Sequence, residues 1–114
     1  MGGLNQLADL IHQDAIAKGW WEEDRNFGEL IALMHSELSE ALESWRKDEE
    51  ALFYNALPKG TKIWKPEWWA VELIDALIRI LDCLAAHEID TDSIVEEKMV
   101  YNRTREWRHG GLRA

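Results

Sequence analysis

Four carboxylates in two pairs of equal spacing, Glu37 with Glu40 and Glu72 with Asp75, are the residues of this chain best suited to chemistry. Residues three apart on a helix have neighbouring side chains, so each pair can present two carboxylates to one point, and two antiparallel helices can present four. Hard cations such as Mg2+ or Mn2+ take oxygen ligands of this kind. Mg2+ also keeps waters and shares its remaining positions with substrate phosphates, which points an all-carboxylate cluster toward phosphoryl chemistry rather than a structural ion. A di-iron carboxylate bundle would use a Glu-x-x-His motif, and none occurs at either pair. The setting of Glu37 strengthens the reading. It interrupts the stripe Leu30, Leu33, Met34, Leu38, Ala41, Trp45, which otherwise reads as the buried face of an amphipathic helix. An acid on a core-facing position implies a compensating cation, either Arg/Lys or a metal ion.

The elements that must position these acids are helical. Leu4, Leu7, Ala8, Ile11 and Ala15 recur at helical spacing over about Leu4 to Lys18, with Gly19 as a stop. A second helix is expected from about Phe27 to Lys47, with Asn26 as N-cap and Glu29 three residues on in the manner of a capping box. Periodicity is lost from Asp48 to Lys65, where Asn55, Pro58, Lys59 and Gly60 supply turn chemistry; a loop with a short helix near Glu49 to Tyr54 is expected. Pro66 suits the first turn of a third helix reaching about His87, apolar on most of its circumference and therefore central. One strip of it escapes, since Glu72, Asp75, Arg79 and Asp82 line up on one side. A fourth helix follows from about Asp92 to Arg105, capped by Asp90 or Thr91, and ends before Gly110 and Gly111. Nothing reads as strand. The expected fold is all-α, a four-to-five-helix bundle with two long acidic helices and a single domain over 1–114.

The fourth helix carries the complementary charge. Lys98, Tyr101, Asn102 and Arg105 fall at i, i+3, i+4 and i+7, one face bearing two cations, an amide and a phenol, with Arg103 and Arg108 nearby. Such a face suits an oligophosphate, because Arg offers bidentate contacts to phosphate oxygens and Lys a point charge. A solvated basic face near a helix C-terminus, favoured by the macrodipole, is the plain alternative.

Bulk properties narrow the class. The chain has 114 residues, the size of one domain, and a formal net charge of -9, which argues against binding a nucleic-acid polymer over a broad surface. A small phosphorylated ligand is not excluded, because bound cations reverse the local sign. No apolar run approaches the roughly 20 residues of a membrane span and no signal peptide is visible, so no membrane partner and a cytoplasmic location are expected. Cys83, the single cysteine, lies among Leu81, Leu84 and Ala85 and reads as a core residue. The third helix has more apolar surface than so small a domain can cover, and seven Trp need places as well. Self-association as a homodimer or homotetramer is expected, with two copies completing a larger bundle.

An ExxE pair, then ExxD, then a KxxYNxxR helix resembles the MazG-like all-α nucleoside triphosphate pyrophosphohydrolases. MHSELSEALESWR, VELIDALIRILD and KMVYNRTREWRHGG look especially similar to the compact bacterial and phage members. The resemblance covers most of the chain. It implies Mg2+-dependent hydrolysis of a nucleoside or deoxynucleoside triphosphate between the α and β phosphates, giving the monophosphate and pyrophosphate. Carried over by motif, Glu37, Glu40, Glu72 and Asp75 would bind Mg2+, with Mn2+ as a substitute, and Glu37 or Glu40 would activate the attacking water. Lys98, Asn102 and Arg105 would hold the phosphates, with Tyr101 beside them. The dCTP pyrophosphatase branch is similar in placing a His and a Trp around the base ahead of ExxE, where this chain has His12 and Trp20 or Trp21.

Two features depart from the family pattern. The gap between Glu40 and Glu72, residues 41–71, is longer than usual and leaves Trp64, Trp68 and Trp69 as a lid or an oligomer contact. Arg79 stands where the dCTP branch tends to carry an aromatic residue. Two other functions compete: a non-catalytic helical module that binds nucleotide or metal, and the related phosphoribosyl-ATP pyrophosphatase, which the Trp-rich segments and the KxxYN helix fit less well.

Overall fold

The computed structural model describes residues 3–56 and 63–105, and these form four helices and one short hairpin. Helix α1 spans Gly3–Ala17 and α2 Phe27–Arg46; strands β1 and β2 span Phe53–Ala56 and Trp64–Glu67; α3 spans Trp69–Ala86 and α4 Thr91–Thr104. The helical expectation holds in its main lines. Gly19, at φ 83°, ends α1 in the left-handed conformation that a Cβ disfavours, and the Trp20 amide returns to the Ala15 carbonyl at 3.0 Å.

Capping chemistry sets the other boundaries. The Asn26 side chain accepts from the amides of Gly28 (2.8 Å) and Glu29 (3.4 Å) at the start of α2. The Glu29 carboxylate turns to Arg25 Nη1 at 3.0 Å, the ion pair its position one turn away offers. Asp90 caps α4 through the Ser93 amide. The N-terminal ends of α1 and α4 also cap each other. Asp92 accepts from the amides of Leu4 and Asn5 at 3.0 and 3.1 Å, while Asn5 Oδ1 accepts from the amides of Thr91 and Asp92 at 2.8 and 3.2 Å. Four donors that a helix start leaves orphaned are thereby satisfied.

Helix α3 is the centre, packed against both α1 and α2, while α4 docks on α1. The buried apolar set is small: Ala8, Leu30, Ala41, Ala76, Leu81 and Cys83. Cys83 is therefore in the core, as its neighbours in sequence imply. The stripe on α2 is only half covered, for Leu30 and Ala41 are buried whereas Leu38 and Trp45 are exposed. On α3 the side chains of Leu73, Ile74, Leu77, Ile78 and Ile80 are exposed too. No helix among the described residues is long and apolar enough to cross a membrane.

The segment between the acidic helices differs from the expectation. Instead of a short helix near Glu49 to Tyr54, β1 and β2 pair antiparallel with Phe53 opposite Glu67, Tyr54 opposite Pro66 and Asn55 opposite Lys65. Aromatic Phe53, Tyr54 and Trp64 favour the extended state, and a two-stranded sheet leaves each strand a free edge where the missing Pro66 amide costs no ladder bond. Pro66 is thus a strand residue, and the helix expected to start there begins at Trp69. Pro58, Lys59 and Gly60, expected as turn residues, lie outside the described residues, as do Arg108, Gly110 and Gly111. Trp68 joins hairpin to helix at φ 90° and ψ -174°, a glycine region that costs a side-chain-bearing residue about 1–3 kcal/mol. Its indole stacks on Phe53 with ring centroids 4.9 Å apart, and the Ala70 amide donates to the Ala51 carbonyl at 3.0 Å. These contacts hold the strained residue in place.

Candidate metal centre

The two acidic pairs face one another across the α2–α3 contact. One carboxylate oxygen from each of Glu37, Glu40 and Glu72 lies within 4.8 Å of the others, close enough to share one cation. Asp75, expected as the fourth ligand, stands outside that trio, yet it lines the same cleft of about 430 Å³ together with Ser44, Lys65 and Trp68. Helix periodicity explains the convergence, because Glu37 and Glu40 occupy one face of α2 and Glu72 and Asp75 one face of α3.

Electrostatics divides the four. Glu37, with its side chain 13 % exposed, accepts a hydrogen bond from Arg79 Nε at 2.9 Å, so the acid interrupting the apolar stripe already has one compensating cation. The trio as a whole has too little. Glu72 is pushed up from 4.5 to about 7, first by burial, then by its hydrogen bond with Glu40 and by the charges of Glu40, Asp75 and Glu37. Asp75 is raised as well, by burial and then by Glu37, against the opposing pull of Arg79 and Lys65. A carboxyl that retains its proton near neutrality beside three other acids sits where a cation is favoured, and the all-oxygen donor set suits Mg2+ or Mn2+.

A second cleft, of about 540 Å³, opens on the other side of Glu37 and Asp75, between α1 and α3. Ile11, Ala15, Trp20 and Ile78 form its apolar wall and Arg79 and Asp82 its polar edge. Of the three expected base-binding residues, only Trp20 lines it. The Trp20 ring has the guanidinium of Arg25 at 4.1 Å and that of Arg79 at 5.0 Å. His12 and Trp21 are committed elsewhere. His12 Nδ1 lies 2.7 Å from Asp82 Oδ1, and Trp21 Nε1 donates to both Asp82 oxygens at 3.0 Å. Asp82 is buried, and these two partners account for an acid at that depth. Its place in the Glu72, Asp75, Arg79, Asp82 strip was the sequence signal that could have marked it.

The basic face forms on α4 as its spacing implies, with Lys98 Nζ 4.8 Å and the Arg105 guanidinium 5.8 Å from the Tyr101 ring centroid. It is not brought to the acids within one chain. Helix α4 packs on α1, and Lys98, Asn102 and Arg105 line neither cleft. Among the described residues, the cation that lines the acidic cleft is Lys65 of β2, which the sequence pattern does not single out.

Comparison of the chain with models of protein families, with curated proteins and with solved structures finds no match.

Proposed function

We propose that this chain is a Mg2+-dependent nucleoside triphosphate pyrophosphohydrolase, acting on a nucleoside or deoxynucleoside triphosphate in house-cleaning of the cytoplasmic nucleotide pool. The observation that carries the reading is the convergence of Glu37, Glu40 and Glu72 from two helices onto one point, with Glu72 pushed up to about 7 by burial and by the neighbouring acids. The resemblance to the MazG-like enzymes supplies the linkage cut, between the α and β phosphates.

Glu37, Glu40 and Glu72 would hold the ion, with Asp75 beside them. A bound Mg2+ supplies Lewis acidity to the phosphoanhydride and lowers the pKa of its water. Arg79 fixes the orientation of Glu37 through the Nε contact. Glu40, the exposed member of the trio, accepts the proton of the attacking water. The apolar cleft walled by Trp20 offers room for a base next to Glu37 and Asp75.

The basic face completes the site from a second copy of the chain. Support comes from the exposed apolar side chains of α2 and α3. A homodimer or homotetramer covers that surface and carries the Lys98, Asn102, Arg105 face of one chain toward the acids of the other.

Screening the common NTPs and dNTPs with Mg2+, with pyrophosphate and orthophosphate measured separately, tests the proposal. Pyrophosphate and the monophosphate are expected only when Mg2+ or Mn2+ is present; orthophosphate as the product, or no product, contradicts it. The non-catalytic binding module gains from the distance of the α4 cations from the acids within one chain, and it would show saturable nucleotide binding without turnover.

A further inference from the structure

The acidic cleft has a roof that the acidic helices do not supply. Strand β2 runs beside it, and Lys65, Pro66, Glu67 and Trp68 all line it. Lys65 is opposite Asn55 in the hairpin register, its Nζ is 3.3 Å from Glu67, and its side chain is 61 % exposed. An exposed Lys–Glu pair of this kind holds its partner weakly, so the ammonium can leave Glu67 for a stronger anion. Its charge already reaches across the cleft, opposing the effect of burial on Asp75.

The placement of the strand is built rather than incidental. Trp68 adopts a backbone conformation that is unfavourable for any residue with a side chain, and the Phe53 stack and the Ala70–Ala51 hydrogen bond hold it there. Strain maintained by surrounding contacts next to a cleft fixes the approach of β2 to α3. The result is a lysine on a clamped strand, facing a cluster that repels any polyphosphate unless cations intervene.

We infer that Lys65 is a substrate-binding residue, contacting from β2 the phosphate chain of a metal-bound polyphosphate. The inference rests on the acidic trio holding a divalent ion, as the proposed function has it, and assigns a phosphate contact within the same chain. It does not need the basic face of α4. A lysine of β2 lining the cleft of the four carboxylates adds a positive charge where one divalent ion does not offset all the acids, and a phosphate chain bound to the ion can meet the ammonium as well.

Inorganic tripolyphosphate binding to the Mn2+-loaded full chain, followed calorimetrically, is the test. For Lys65→Met, binding is expected to weaken by about tenfold or more, the size of one charge-assisted contact, with Lys65→Arg recovering most of the loss. Mn2+ affinity without tripolyphosphate should stay the same or tighten in Lys65→Met, since a repelling charge is gone. Circular dichroism establishes that the variants fold. Equal tripolyphosphate affinity in Lys65→Met and wild type, or no binding by wild type, overturns the inference and leaves Lys65 as a charge balancing the acids. Lys65-dependent binding in a protein that hydrolyses no triphosphate overturns the hydrolase reading alone.

Discussion

Glu72 holds its proton to about 7 because burial and three neighbouring acids oppose its charge, and that sets a pH dependence of definite sign. In the metal-free chain the folded state binds a proton more tightly than the unfolded state, whose carboxyl titrates near 4.5. The stability due to this proton is fully present below 4.5 and is lost as the pH rises through about 7. Asp75, raised by burial and by Glu37, adds to the same trend. Thermal melts across that window should show a falling midpoint without metal, and Mg2+ should flatten the slope because a cation takes the proton's place. A midpoint that rises over the window without metal would show that the acids do not crowd one another. Asp82 makes a second residue-scale case. Asp82→Ala leaves Trp21 Nε1 and His12 Nδ1 without their partner in a partly buried setting, and a urea melt should record a loss of about 2 kcal/mol.

The helices of this chain are legible because periodicity and end chemistry agree. Asn26, Gly19 and Asp90 mark boundaries that hold to within a residue or two, and Asn26→Ala should cost about 1 kcal/mol in the same melt as the Gly28 and Glu29 amides lose their acceptor. The hairpin was not legible. Two four-residue strands are too short for an alternating pattern to emerge, and Pro66 reads locally as a helix start although it pairs opposite Tyr54. The site divides the same way. Spacing located Glu37, Glu40 and Glu72, while the sorting of Arg79 to Glu37 and of His12 and Trp21 to Asp82 depends on how α1 and α2 lie on α3, which no single helix encodes. Lys65 stayed hidden because its place at the acidic cleft follows from the strand that carries it.

At the scale of the molecule the second copy proposed above would account both for the exposed face of α3 and for the separation of α4 from the acids. Light scattering should give at least twice the chain mass of 13.3 kDa. Leu77→Glu, which places a charge on the exposed apolar face of α3, should shift the mass toward one chain and reduce turnover with it if, as proposed, the partner's α4 completes the site. A wild-type mass of one chain with full turnover would mean that the α4 cations are not used. The central claim, that the paired carboxylates hold the ion on which hydrolysis depends, is tested most directly by pyrophosphate release from a dNTP with Mg2+ in wild type and Glu40→Ala. The account predicts a fall of about 10²-fold or more in a variant that remains folded; release at the wild-type rate would contradict it.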